Sequence, residues 1–148
     1  MRTFSERTWM IEFLRKKLAN KKIVLLGFGK EGQSSFSLIR RLLPQTSLCI
    51  ADADESIFGN HLLVDDPNVF FRLGPDYLKG LDEFDVIMKT PGITLKAIDY
   101  NIDHEKITSQ TDLFLQVYSN QVIGVTGTKG KTTSTFLLNH LQSLHNDI

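Results

Sequence analysis

The chain has 148 residues, 41% hydrophobic and 23% charged, with 17 basic and 17 acidic side chains. That make-up suits a globular protein with a real core, and a formal net charge of zero gives no electrostatic basis for binding nucleic acid or an acidic membrane. Cys49 stands alone, which excludes an intramolecular disulfide and a cysteine metal cluster, and no apolar run reaches the roughly 18 residues of a membrane span.

Ser5 is placed to cap a first helix running to about Asn20, in which Trp9, Met10, Phe13, Leu14 and Leu18 recur at helical spacing. Residues 1–20 thus read as a helix packed against the next domain. Lys22–Leu26 is an apolar run of strand length, as expected of a strand buried on both faces. It runs into Gly27-Phe28-Gly29-Lys30-Glu31-Gly32, the pattern G-x-G-x-x-G between a strand and a helix. The helix is predicted over Gln33–Leu43 and stopped by Pro44. Leu48–Ala51 reads as a second strand, ending at Asp52. Asp52 lies twenty residues after Gly32, where the dinucleotide fold places an acid for a ribose hydroxyl.

Asp54 to Asp66 is polar and acidic with scattered apolar residues. Asn68–Arg72 reads as a short strand, Gly74-Pro75 as a turn, and Asp76–Leu81 as a short helix opened by Asp76. Asp85–Met88 is the next strand and meets Thr90-Pro91-Gly92, where Pro91 fixes φ and Gly92 permits a left-handed turn. Such a turn at a strand's carboxyl end lies on the ligand edge of an open sheet, though a plain strand-ending turn has the same composition. Lys106–Thr108 reads as an edge strand and Gln110–Tyr118 as a helix with Leu113, Phe114 and Val117 inward. The alternation argues for an α/β fold, a Rossmann-like, mostly parallel, doubly wound sheet over residues 21–119.

Residues 120–148 read differently. Gln121–Val125 is an apolar run, Thr126–Gly130 a glycine-rich turn, and Lys131–Leu144 an amphipathic helix. That is the order strand, phosphate loop, helix. Gly127 and Gly130 leave room for backbone N–H groups to converge on a phosphate; Lys131 can reach the β- and γ-phosphates, and Thr132 can offer its hydroxyl to Mg²⁺. The general pattern asks for glycine five residues before Gly130, and Val125 stands there. No later carboxylate strand is present, so this part reads as the truncated start of a second, ATP-binding domain. His61, His104, His140 and His145 share no metal spacing.

Three segments together resemble the Mur ligases, ATP-dependent amide-forming enzymes of peptidoglycan precursor synthesis. They are Ile23–Gly32, Asp85–Ile93, and Ser109–Phe114 followed by Ile123–Thr132. Their order is most similar to the branch that adds D-glutamate to UDP-N-acetylmuramoyl-L-alanine. The resemblance implies three domains in a complete enzyme: one for the UDP part of the substrate, one for ATP and Mg²⁺, and one for the incoming amino acid. It also implies an enzyme that phosphorylates a substrate carboxylate before the amine attacks; a cytoplasmic location is expected from the lack of a signal peptide and of a membrane-length apolar run. Carried over by motif, Gly27, Phe28, Gly29, Lys30, Glu31, Gly32, Asp52, Thr90, Pro91 and Gly92 would line the UDP site. Gly127, Thr128, Lys129, Gly130, Lys131, Thr132 and Thr133 would hold ATP, with Lys131 and Thr132 in catalytic roles and Thr132 on the metal. Lys129 stands where many members have Asn, and Ala53 and Asp54 stand where many keep a ligand-gripping residue after the acid. The implied amino-acid-binding domain has no counterpart in these 148 residues.

Two other readings fit part of the pattern. One is a nicotinamide-dinucleotide oxidoreductase or regulatory module, which leaves the Lys131 loop without a role. The other is a related ligase acting on a different substrate.

Overall fold

A computed structural model describes residues 4–94, 96, 98 and 102–146. The chain divides into two compact units, Met1–Val117 and Tyr118–Ile148.

The first unit is built on five parallel strands in the order β3-β2-β1-β4-β5. They are β1 (Ile23–Leu26), β2 (Leu48–Asp52), β3 (Val69–Leu73), β4 (Val86–Lys89) and β5 (Ile107–Thr108). Ile23–Leu26 is buried along its whole length, as a central strand with both neighbours and both faces covered must be.

The pleat sends alternate side chains to two separate cores. Ile23, Leu25, Leu48, Ile50, Val86 and Met88 meet three helices on one face: α1 (Phe4–Leu18), α2 (Lys30–Leu42) and α3 (Gln110–Tyr118). Leu14 and Leu18 of α1, Phe36, Ile39 and Leu42 of α2, and Leu113 of α3 complete that core. Each such fully buried aliphatic side chain is worth about 1.5–3 kcal/mol of transfer free energy. On the other face Val24, Leu26, Cys49, Ala51 and Ile87 pack on Leu81, Phe84, Ile98 and Ile102. Both the strand order and the two covered faces are those of the Rossmann-like class.

Several local expectations change. The first helix already includes Phe4, so Ser5 lies within it and is not its cap. It ends at Leu18, and Asn20 takes a left-handed φ of 59°. Lys17 ties α1 to α3 by donating to Gln116 Oε1 at 2.7 Å. The predicted helix Asp76–Leu81 is a run of turns leading into a 3₁₀ segment, Leu81–Glu83. Gly80, at φ 65°, breaks any helix there, and Arg72 takes the Lys79 carbonyl. Glu55–Gly59 is a 3₁₀ turn capped by Asp54, whose side chain accepts from Ser56 N.

The connection between β2 and β3 is pinned by Arg40 of α2. Its guanidinium pairs with Asp66, donates to the Asn68 carbonyl at 3.2 Å and lies 5.3 Å from the Phe36 ring centroid.

In the second unit, the predicted strand at 121–125 does not form among the described residues: Gln121 ends a 3₁₀ turn (Ser119–Gln121), and residues 122–125 have no ladder partner. An extended segment becomes a strand only when another pairs with it. The helix α4 (Lys131–Asn146) forms as expected.

Candidate nucleotide site

Strand order reverses direction between β1 and β4, because β1 leads outward to β2 and β3 while β4 leads to β5. In an open parallel sheet, ligands bind outside the carboxyl ends of the strands at such a switch point. The register puts Leu26, Ala51 and Lys89 side by side. The residues next in the chain after them, Gly27, Asp52 and Thr90, therefore emerge at one level. Three segments that are far apart in sequence meet there.

The glycine loop is held on three sides. Gly27 has φ 88°, a conformation that suits only glycine, and its N–H donates to Ala51 O at 2.8 Å. A Cβ on Gly27 would lie 2.3 Å from Thr90 Oγ1. Thr90 donates twice to Leu26 O, from its N–H at 2.9 Å and its hydroxyl at 3.0 Å. Ile93 N then donates to Thr90 O and closes the Thr90-Pro91-Gly92 turn. On the other side, Phe28 N donates to Asp52 Oδ2 at 2.7 Å. The Phe28 ring turns away into the core, 2% exposed and edge-on to Phe36, so only its backbone faces the loop.

The helix after the loop starts earlier than predicted. It begins at Lys30, with Gly29 as its N-cap in extended conformation. Gly32 therefore lies within the helix. A Cβ there would be 2.1 Å from Gly27 O, so this glycine is what lets helix and strand approach. Gly29 has no atom within 4 Å of its would-be Cβ; it faces open space. The first intrahelical bond is Gln33 N to Gly29 O at 2.9 Å. The N–H groups of Lys30, Glu31 and Gly32 precede it and form the unpaired first turn, the part of a helix that attracts an anion. Lys30 is exposed and Glu31 half-buried.

Sequence reading passed over Gln33 and Lys89. Gln33 Nε2 donates back to Phe28 O at 3.1 Å and braces the loop. Lys89 ends β4, half-buried, with Nζ 3.2 Å from Thr90 O. Only their adjacency to the two motifs signals them. Asp54 is exposed, and hydrogen bonds from Ser56 hold its carboxyl below the usual carboxylate range. Its charge is engaged with the backbone of the next turn. No cluster of three His, Cys, Asp or Glu side chains suited to a metal occurs among the described residues.

The second unit carries its own loop. Gly127 (φ 147°) and Gly130 (φ 81°) use backbone that only glycine adopts freely, and no protein atom lies within 4 Å of a Cβ built on Gly130. Ser134 N donates to Gly130 O at 2.9 Å, so Lys131, Thr132 and Thr133 form the first turn of α4. Lys131 Nζ folds back onto Gly127 O. Thr128, Lys129, Thr132 and Thr133 are exposed around the same loop. An open, Cβ-free loop with an ammonium at the head of a 16-residue helix fits a phosphate group.

The fold and the two loops define a class: a Rossmann-like α/β unit followed by a glycine–lysine loop at a helix N-terminus. Comparison with known proteins narrows it. The chain is 32% identical over 141 residues to the UDP-N-acetylmuramoylalanine–D-glutamate ligase of Ruminiclostridium cellulolyticum, covering 86% of this chain and 28% of that protein. It is 29% identical over 128 residues to the ligase of the same name from Clostridium acetobutylicum, covering 83% and 28%. The corresponding ligase of Acetivibrio thermocellus is 30% identical over 128 residues, covering 84% and 27%. No family model and no solved structure matches the chain. These similarities support a Mur-ligase region, of the kind named UDP-N-acetylmuramoylalanine–D-glutamate ligase. The chain spans under a third of the length of those relatives.

Proposed function

We propose that the first unit binds the uridine-diphosphate part of a UDP-linked muramoyl substrate, and that residues 120–148 begin the ATP-binding domain of the same ligase. The observation that carries this reading is the meeting of Gly27–Gly32, Asp52 and Thr90–Gly92 at the β1/β4 switch point, in a chain whose relatives are named D-glutamate ligases. The first-turn N–H groups at Lys30, Glu31 and Gly32 would receive the diphosphate, and open Gly29 would let it approach closely. Among the described residues, only β5, two residues long, lies beyond β4 in this sheet. That is too little for the second mononucleotide half of a dinucleotide site, so a nucleoside diphosphate joined to a sugar fits better than a nicotinamide cofactor.

In the complete enzyme, Gly127, Thr128, Lys129, Gly130, Lys131, Thr132 and Thr133 would hold ATP, with the Thr132 hydroxyl toward Mg²⁺. ATP supplies the phosphoryl group that activates the substrate carboxylate for attack by the amino acid's amine. Lys131 neutralises charge on that group, and the loop N–H groups fix its position. D-Glutamate is the amino acid the relatives' names indicate.

The test is turnover by the full-length protein with UDP-N-acetylmuramoyl-L-alanine, D-glutamate and ATP. Formation of the dipeptide product, its loss in Lys131→Ala, and retained uridine-nucleotide binding in that variant support the proposal. Retained turnover in Lys131→Ala removes Lys131 from the phosphate site. No turnover by the unaltered enzyme with this substrate, against turnover with another acid, reassigns the substrate.

A further inference from the structure

We infer that Asp52 serves this site as a positioning residue that shapes the glycine loop from behind. This rests on the reading of that loop as a diphosphate site. In the dinucleotide fold the acid at the end of the second strand is expected to hydrogen-bond the ligand's ribose. Here both carboxylate oxygens already have backbone donors. Oδ2 accepts from Phe28 N at 2.7 Å, and Oδ1 accepts from Asp54 N at 3.0 Å. The first bond crosses from β2 to the loop after β1, between residues 24 apart in sequence. The second holds the chain that leads into the 3₁₀ turn at Glu55–Gly59.

The bond to Phe28 matters most. Phe28 is anchored twice: its ring is buried against Phe36, and its N–H is fixed by a carboxylate, the stronger class of acceptor. Gln33 takes its carbonyl. Gly29 comes directly after it and caps α2. A peptide held at both ends thus sets the direction in which Gly29 and the first-turn N–H groups point. Thr90 does the same on the other side through Leu26 O. Asp52 and Thr90 act as two braces on one loop.

Inorganic pyrophosphate separates positioning from contact, because it has neither ribose nor base. A carboxylate that touches the ribose should matter to UDP and not to pyrophosphate. By charge alone, removing Asp52 should strengthen binding of any anion. A brace predicts the opposite: Asp52→Ala weakens pyrophosphate and UDP alike, by about tenfold. Asp52→Asn keeps one oxygen for Phe28 N and should recover most of that loss. Both ligands are titrated against the 148-residue chain and the two variants by NMR. Phe28 amide exchange is followed in the same samples without ligand. Exchange at Phe28 should quicken in Asp52→Ala while Val24–Leu26 stay protected. UDP binding lost with pyrophosphate unchanged or tightened in Asp52→Ala, or Phe28 exchange unaltered, overturns the inference. If the unaltered chain binds neither ligand, the diphosphate reading fails, and Phe28 exchange still decides whether Asp52 braces the loop.

Discussion

Gly27 and Thr90 touch so closely that only the absence of a side chain on one permits the hydroxyl on the other. A Cβ on Gly27 would sit 2.3 Å from Thr90 Oγ1. That hydroxyl is spent on Leu26 O, so the start of the loop after β4 is tied to the end of β1 by two hydrogen bonds. Gly27→Ala meets both the collision and the φ of 88°. It should cost about 2–3 kcal/mol of stability. Adding Thr90→Ala should return part of that loss by opening the space, while leaving the dihedral strain. Urea unfolding of the two single variants and the double variant measures it. Strictly additive losses would mean that the two residues do not meet.

The other two loop glycines should separate stability from binding. Gly32→Ala puts a methyl 2.1 Å from a backbone carbonyl that cannot swing aside. A loss of about 3 kcal/mol or more is expected. Gly29→Ala enters open space at φ −66° and should cost only the roughly 0.5–1 kcal/mol that separates glycine from alanine at a helix N-cap. A bulkier Gly29→Val should leave the fold standing and abolish nucleotide binding. Comparable melting losses for Gly29→Ala and Gly32→Ala would contradict the packing described.

Cys49 gives the pH dependence. Burial pushes its thiol up to about 11, from an ordinary value of 9.0. The folded state thus holds the proton more tightly than the unfolded chain. That contribution is intact below about pH 9 and is lost as pH rises from there through about 11. Melting temperature should fall across that range more steeply than in Cys49→Ala, which has no thiol to ionise. At about pH 8 the folded protein should resist Ellman's reagent until it is unfolded in guanidinium. Stoichiometric reaction within a minute under native conditions would place Cys49 outside the core.

Much of this arrangement is legible in the sequence where a single physical cause dominates. Ile23–Leu26 and Leu48–Ala51 read as buried strands because both faces of each are covered. Gln110–Tyr118 reads correctly because its apolar spacing is helical and its inward residues Leu113 and Val117 are buried. The glycine loop and Asp52 are legible as a pattern. What Asp52 does is not, because its partners Phe28 N and Asp54 N become neighbours only when β2 pairs with β1. The turn at Asp76–Leu81 is obscured for a similar reason. Local propensity favours a helix, while Arg72 on β3 reaches the Lys79 carbonyl and Gly80 turns left-handed. The run at 121–125 carries the right residues for a strand, but Gln121 is taken into a 3₁₀ turn and residues 122–125 lack a partner among the described residues.

That missing ladder has a measurable consequence in the second unit. Ile123 is 63% exposed, and Phe136 and Leu141 are 70% and 61% exposed. Amides over Val122–Val125 should exchange far faster than those of Ile23–Leu26, whose strand has a partner on each side. A loop so supported should also bind ATP weakly in this 148-residue chain, at millimolar or weaker as an order of magnitude, with no hydrolysis above background. Equal protection of the two segments in a verified monomer, or micromolar ATP binding by calorimetry, would contradict this.

The ligand of the first unit tests the account most directly. The melting temperature of the chain is measured alone, with UDP, with UDP-N-acetylmuramoyl-L-alanine, and with NADH and NADPH at matched concentrations. The loop at Gly27–Gly32, braced by Asp52 and Thr90, predicts a rise with both uridine nucleotides and none with either nicotinamide cofactor. A clear rise with NADH and none with any uridine nucleotide would contradict the ligase reading of this site, whatever the Lys131 loop does.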